Sequence, residues 1–166
     1  MKKCWILVGI AMMLCGCTVQ EDFETMSDVY NIQQRPEASP VFFVVPEDAA
    51  AEVMENEDTG TLYFCDNYCI VVQTLQSGDM EATLQTVTGY SRERLQLMQR
   101  QSGDNSRYEC TWVSAGENGD QVGRAVIIDD GNYHYTLSVM ADAAEAGKLT
   151  QDWQSLIDSF MLRTGK

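Results

Sequence analysis

The clearest periodic pattern in the chain is a set of apolar residues near the C-terminus that recur at intervals of three and four. This spacing places them on one face of a helix, with polar residues between them. The apolar positions are Trp153, Leu156, Ile157, Phe160 and Met161. We predict an amphipathic helix that Thr150 can cap and that packs across a β-sheet.

A second helix signal lies in the middle of the chain. Asp79 is a candidate N-cap, Met80, Leu84 and Val87 follow at helical spacing, and Gly89 supplies a stop. These residues predict a helix that starts directly after Asp79 and ends at Gly89.

The segment before this helix alternates between strand and turn signals. Val41–Val45 is a β-branched and aromatic run, which predicts a strand, and the alanines that follow favour a short helix over Asp48–Met54. Asp58–Gly60 then predicts a turn, with strands over Thr61–Phe64 and Tyr68–Leu75.

After Gly89 the pattern changes to a period of two. We predict a weakly alternating strand over Arg94–Gln101, with a helix that begins at Ser91 as the alternative. Tyr108–Val113 reads as a further strand that carries Cys110 and Trp112 on one face.

The clearest hairpin signal joins Val122–Ile128 to Tyr133–Met140. Asp130-Gly131 suits a tight turn, and a turn there pairs Ile128 with Tyr133. One face is then mostly apolar, and a polar set lies on the other face: His134, Thr136 and Ser138.

These elements predict an α+β fold, in which an antiparallel meander is packed by helices, including the amphipathic C-terminal helix. Their order, ending in WQSLIDSFML, resembles the PsbP-like fold of a photosystem extrinsic subunit, the Mog-type Ran-binding factor and several bacterial lipoproteins. The segments CDNYCIVVQTL, SGDMEATL and AGENGDQVGRAVIIDDGNYHYTLSVMA are similar to small lipoproteins of anaerobic gut bacteria. The resemblance covers about residues 41 to 163. It implies a sandwich with a binding or accessory role, and it implies no site, because PsbP-like proteins share no catalytic residues.

The first seventeen residues have the layout of a bacterial lipoprotein signal. Two lysines precede an apolar run from Trp5 to Leu14, and Gly16 stands directly before Cys17. The run is about ten residues long, whereas a membrane-spanning helix needs about 20. We therefore predict a cleaved signal rather than a permanent span.

Cys17 is the predicted anchor residue, since its thiol can accept the lipid before cleavage. Cys15 is the alternative, but the bulky Leu14 would then stand at the cleavage point, where a small residue is needed. The prediction is a signal peptide over residues 1–16 and a mature protein that acyl chains such as palmitate hold on the extracytoplasmic face of the cell membrane.

The mature chain divides by composition into two parts. Residues 17–40 are polar and acidic, which predicts a flexible tether, with a short helix over Phe23–Tyr30 docked on the domain as the alternative. Residues 41–166 are long enough for a single α+β domain with its own core.

Charge restricts the classes of partner. The chain has 11 basic and 25 acidic side chains, a net charge of −14, and loss of Lys2 and Lys3 with the signal leaves −16. Such a surface repels nucleic acid phosphates, so nucleic acid is excluded as a partner. The predicted partners are membrane lipid, through acylated Cys17, and an envelope protein or glycan.

Three cysteines remain in the mature domain. Cys65 and Cys69 would face each other across a three-residue loop and form a disulfide, whereas a two-residue Asp66-Asn67 turn would point them to opposite faces. Buried free thiols are the third possibility. The Cys-x₃-Cys spacing with distant Cys110 lacks a fourth ligand, so we predict neither a metal site nor a cofactor.

The remaining chemistry favours binding over catalysis. His134 is the one histidine and is expected to be a half-buried, hydrogen-bonded residue, and Asp129–Asn132 is expected to be a turn rather than a calcium loop. An aromatic sheet surface is the candidate binding site, formed by Tyr63, Tyr68, Trp112, Tyr133, Tyr135 and His134. The sequence thus predicts a non-enzymatic envelope binding or accessory domain. The alternatives are an envelope enzyme that uses Cys110 or His134, and a structural envelope component.

Overall fold

A seven-stranded antiparallel sheet forms the centre of the domain in a computed structural model that describes residues 36–54, 60–116 and 119–163. The strands in these ranges are β1 Val41–Phe42, β2 Ala50–Met54, β3 Gly60–Phe64, β4 Cys69–Gln76, β5 Gln96–Ser102, β6 Asn105–Gly116, β7 Gly119–Asp129, β8 Tyr133–Asp142 and β9 Met161–Leu162. The α-helices are α1 Met80–Thr88, α2 Ala143–Ala146 and α3 Thr150–Ser159. The predicted signal peptide, Cys17, the alternative helix over Phe23–Tyr30 and most of the predicted Asp58–Gly60 turn lie outside the described residues.

The order of the strands brings the longest hairpins to the middle of the sheet. The large sheet runs β2-β3-β4-β8-β7-β6-β5, and β1 pairs with β9 in a separate two-stranded sheet. β8 lies between β4 and β7, so the last long strand joins the two halves of the meander.

Helices cover both faces of the large sheet. On one face Ile70, Val126, Leu137 and neighbouring residues pack against α2 and α3. On the other face Cys110, Trp112, Ala125 and Ile127 pack against Leu84 of α1. Burial on both sides explains why residues 125–128 of β7 are a continuous apolar run, all buried, rather than an alternating one.

The predicted middle helix is confirmed, with both of its ends. The Asp79 side chain accepts a hydrogen bond from the Glu81 N–H at 3.0 Å, which satisfies one of the free donors of the first turn. Gly89 has a φ of +77° and donates to the Gln85 carbonyl at 2.8 Å, a left-handed C-terminal ending that suits glycine.

The C-terminal helix is also confirmed, but it is shorter than its apolar pattern. Trp153, Leu156, Ile157 and Phe160 are buried, whereas Met161 is 50% exposed and belongs to β9. Thr150 lies inside the helix rather than at its N-cap, and its hydroxyl donates to carbonyls of the preceding turn.

The prediction of a helix over Asp48–Met54 is wrong. Ala50–Met54 is the edge strand β2, paired with β3 so that Ala51 lies opposite Tyr63. Helix propensity is a weak preference, and hydrogen bonding to an existing sheet edge overrides it. The predicted Val41–Val45 strand shortens to Val41–Phe42, which pairs with Leu162 and Met161.

The segment after Gly89 combines the two alternatives that the sequence left open. Arg92–Arg94 forms one turn of 3₁₀-helix behind Ser91, and the strand over Gln96–Ser102 follows directly. Tyr108–Val113 lies within the longer strand β6, and Cys110 and Trp112 share one face, as predicted. That face packs against α1.

The predicted β7–β8 hairpin is present with a different register. Ile128 pairs with Tyr135, not Tyr133, because the turn is shifted by one residue and Asp130 N–H donates to the Tyr133 carbonyl at 3.2 Å. Gly131, with a φ of +86°, takes the first central position of the turn. A shift of the turn by one residue moves the partner of each residue by two positions. Because residues two apart in a strand share a face, the predicted faces of both strands are preserved.

Gly123 provides a test of the packing between β6 and β7. It pairs with Trp112, and a Cβ at position 123 would lie 2.2 Å from Cε2 of that indole ring. Gly123→Ala should therefore displace Trp112 and lower the free energy of unfolding by about 1–3 kcal/mol, measured by urea denaturation.

Gly147→Ala is the matched control for this substitution. Gly147 has helical dihedral angles and open space around its missing Cβ, so this variant should be as stable as the parent or slightly more so. Equal stabilities for the two variants would contradict the proposed contact.

Candidate binding groove

The aromatic residues predicted as one binding surface are divided between the two faces of the sheet. Tyr63, Tyr68, Tyr133 and Tyr135 pack in the layer beneath α3, whereas Trp112 packs beneath α1. Tyr135 is fully buried and Trp112 is 7% exposed. The structure therefore does not bring these residues together as one exposed surface.

His134 is fully buried and connects the sheet to α1, whereas the sequence indicated a half-buried position. Its Nδ1 lies 2.6 Å from the Thr83 hydroxyl, and its Nε2 lies 3.4 Å from the Ser77 hydroxyl and 3.7 Å from an Asp129 carboxylate oxygen. Burial lowers the pKa of His134 below its usual value, although Asp129 and Asp130 oppose this shift. The residue is thus a neutral structural link between layers.

Cys110 and His134 do not form a catalytic pair. Cys110 lies opposite Ala125 of β7, and Ala125 lies opposite Ser138 of β8. Ser138 is four residues from His134, so the two side chains are offset by about 13 Å along the strand direction. Burial raises the pKa of the Cys110 thiol to about 11, so the thiol is protonated at neutral pH and is a poor nucleophile.

Cys65 and Cys69 lie at the end of the β3–β4 hairpin as free thiols. The Cys65 N–H donates to the Tyr68 carbonyl at 3.0 Å and Phe64 pairs with Cys69, so the connection is the two-residue Asp66-Asn67 turn. This is the arrangement in which the two side chains point to opposite faces of the sheet.

The carboxylates of the β7–β8 turn are used within the turn. Asp129 accepts from the Gly131 N–H, and Asp130 accepts from two backbone N–H groups and from the Tyr135 hydroxyl at 2.8 Å. Burial alone would raise the pKa of Asp130, but these hydrogen bonds outweigh it and the pKa lies below the usual value. The geometry is that of a side-chain-stabilised turn.

A groove of about 470 Å³ lies between α2, the start of α3 and strands β5–β7. Its volume is within the range of small-molecule sites, and its lining is mostly apolar. Its lining includes Met98, Glu109, Val122, Arg124, Ala143 and Trp153. The sequence analysis did not identify this groove.

A buried ion cluster forms the polar part of the groove floor. Glu109 is 6% exposed, and its carboxylate lies 3.1 Å from Nε of Arg107 and 3.5 Å from Nη2 of Arg124. Arg107 does not line the groove, and its guanidinium also donates to the carbonyls of Ile157, at 2.6 Å, and Phe160, at 3.0 Å, at the end of α3. A cation at this end of a helix satisfies free carbonyls and interacts favourably with the helix dipole.

Trp153 forms part of the groove wall and has an unused donor. The residue is 3% exposed, and its ring packs edge-on against the Tyr68 ring with 6.4 Å between the ring centroids. Its Nε1–H is buried and has no hydrogen-bond partner in the described part of the chain. Buried indole N–H groups usually have an acceptor, so this unpartnered donor is an exception within the described residues.

Comparison with solved structures identifies the architecture. The chain superposes on cyanobacterial PsbP (CyanoP) from Synechocystis sp. PCC 6803 with a TM-score of 0.56 and 11% identity, over 77% of this chain and 95% of that one. It superposes on LpqN of Mycobacterium tuberculosis with a TM-score of 0.52 and 13% identity, over 80% and 88%. The fold is PsbP-like.

No family model and no curated protein matches the sequence. A third PsbP-like neighbour, the Ran-binding protein Mog1p of Saccharomyces cerevisiae, has a TM-score of 0.47 and 15% identity, over 74% of this chain and 89% of that one. Among the described residues of this PsbP-like domain, every helix is too short or too polar to cross a bilayer.

The ion cluster predicts a strong dependence of the PsbP-like domain on Arg107. Arg107→Met should lower the free energy of unfolding by about 3–5 kcal/mol, because it leaves Glu109 underpaired and removes two donors from the end of α3. Urea denaturation gives the value, and Arg92→Met, at an exposed arginine of the 3₁₀ turn, is the control that should have little effect. Adding Glu109→Gln to Arg107→Met should restore part of the loss. An unchanged loss in the double variant would contradict an uncompensated carboxylate as its cause.

His134 predicts a specific pH dependence of stability. Because its pKa is lower in the folded state, the unfolded chain takes up a proton first as the pH falls below about 6.5, and this difference destabilises the fold. The parent should therefore lose more stability between pH 7.5 and 5.5 than His134→Asn, as measured by urea denaturation at each pH. Identical losses would show that His134 does not contribute to the acid sensitivity.

Proposed function

We propose that this chain is a lipid-anchored, extracytoplasmic binding or accessory domain of the cell envelope. The groove between α2, α3 and the sheet binds a small ligand, and no chemical step takes place there. The groove is the observation that carries the proposal, because it combines a mostly apolar wall with a buried charge cluster and an unused indole donor.

The side chains around the groove support binding rather than catalysis. His134 belongs to the α1 layer on the opposite side of the sheet, where Thr83 holds it. Cys110 borders the groove but packs with Leu84 in the same α1 layer, and its raised pKa disfavours a thiolate. In the described ranges no three His, Cys, Asp or Glu side chains are close enough to hold a metal ion. The arrangement favours a binding domain over the alternative of a thiol or histidine enzyme.

The location in the envelope is supported by the sequence and by one structural neighbour. The first seventeen residues have the layout of a lipoprotein signal, and the acidic mature chain suits a domain that stands away from anionic lipid. LpqN, which shares the fold, is described as involved in cell envelope biogenesis. An accessory role in the envelope is the function that these observations support together.

The anchor can be tested on the protein purified from its native membrane. Intact mass should correspond to a chain that begins at Cys17 and carries acyl groups, and Cys17→Ala should remain uncleaved or leave the membrane fraction after carbonate extraction. Cys15→Ala is the matched control and should be processed and anchored like the parent. A parent mass without acyl groups would contradict the proposed function.

A further inference from the structure

We propose that the groove binds a monoanionic amphiphile, an alkyl carboxylate, with Arg124 holding the head group and the apolar wall holding the chain. This inference rests on the proposed binding function and names the class of ligand. It follows from the different uses of two arginines, from the local charge and from the composition of the wall.

Arg107 and Arg124 flank the same carboxylate but differ in the hydrogen bonds that they make. Arg107 donates from each of its three guanidinium nitrogens, to Glu109 and to two carbonyls at the end of α3. Arg124 has one ion-pair contact in the described part of the chain, to Glu109 at 3.5 Å, and its side chain is 17% exposed in the groove lining. An arginine fork with unused N–H groups matches a carboxylate, which it can hold through two parallel hydrogen bonds.

The charge balance around Glu109 favours a single negative charge on the ligand. Arg107 and Glu109 compensate each other at 3.1 Å, which leaves the charge of Arg124 available in a chain that is otherwise strongly acidic. A dianionic head group would meet repulsion from the Glu109 carboxylate, whereas a monoanion can pair with Arg124 alone. A cationic ligand would be repelled by Arg124.

The rest of the groove suits an apolar chain. The apolar wall is formed by Met98, Val122, Ala143 and Ala146. Met98 belongs to the edge strand β5 and is 51% exposed. Covering these surfaces with an alkyl chain removes apolar area from water, which provides binding energy. Trp153 closes one side of this wall with its ring.

The inference can be tested by adding decanoate to the mature, lipid-anchored protein in a non-ionic detergent and counting adducts by native mass spectrometry. We expect one decanoate per chain, about tenfold weaker binding of decanol, which lacks the charge, and no binding of decyltrimethylammonium. Equal binding of the anionic and cationic probes would mean simple apolar partition and would overturn the proposal.

Three variants separate the head-group site from the wall. Arg124→Gln should weaken decanoate about tenfold while leaving decanol unchanged. Arg92→Gln, which removes an exposed charge from the 3₁₀ turn outside the groove, should alter neither. Ala143→Trp, at an exposed position on α2, should block both probes by filling the groove. Urea denaturation of each variant checks that the fold is retained. Normal decanoate binding by Arg124→Gln would overturn the role of this residue.

The two levels of proposal fail in different ways. If decanoate does not bind but the chain carries acyl groups on Cys17, the ligand class is wrong and the anchored domain stands. If Cys17 carries no lipid, the envelope role fails whatever the groove binds.

Discussion

The guanidinium of Arg107 is the contact on which the arrangement of the domain depends. It joins the start of β6 to carbonyls at the end of α3, and it does so while paired with a carboxylate that is almost completely buried. A buried Glu109 is tolerated only because cations lie on both of its sides, and the helix end needs donors at the same place. One side chain thus meets two requirements, and α3 is held at its C-terminal end. The N-terminal end of α3, with Trp153, forms one side of the groove.

The two faces of the sheet are covered by different helices. On the α1 face, His134 lies within hydrogen-bond distance of Thr83 and Ser77, and the Trp112 ring packs against Gly123. On the α3 face, the short helices α2 and α3 leave a groove against β5, β6 and β7. The space for the proposed ligand therefore results from incomplete coverage of the sheet by short helices.

Sequence reasoning identified the elements whose signals are local. The spacing of Trp153, Leu156 and Ile157 predicts α3, and the Asp79 and Gly89 caps predict α1, because each signal lies within a few residues of the structure that it specifies. Signals that depend on distant partners were missed. The alanines of β2 adopt a strand because β3 offers an edge. The hairpin register was missed for a local reason, since Asp130 accepts hydrogen bonds from the N–H groups of Asn132 and Tyr133 and the turn is thereby shifted by one residue. The groove brings together Glu109 of β6, Arg124 of β7 and Trp153 of α3. In the sequence, its signal is limited to charged residues within otherwise apolar strand segments.

The short β1–β9 sheet has a mechanical consequence. Val41 and Phe42 pair with Leu162 and Met161, the Arg163 N–H donates to the Pro40 carbonyl, and the Ser39 N–H donates to the Tyr135 hydroxyl. A pulling force that enters the chain at Pro36 is therefore carried first by this small ladder and by the hydroxyl of Tyr135. Because Tyr135 belongs to β8, part of this force passes directly into the centre of the seven-stranded sheet. The two-stranded sheet therefore shares the load with the large sheet and does not shield it.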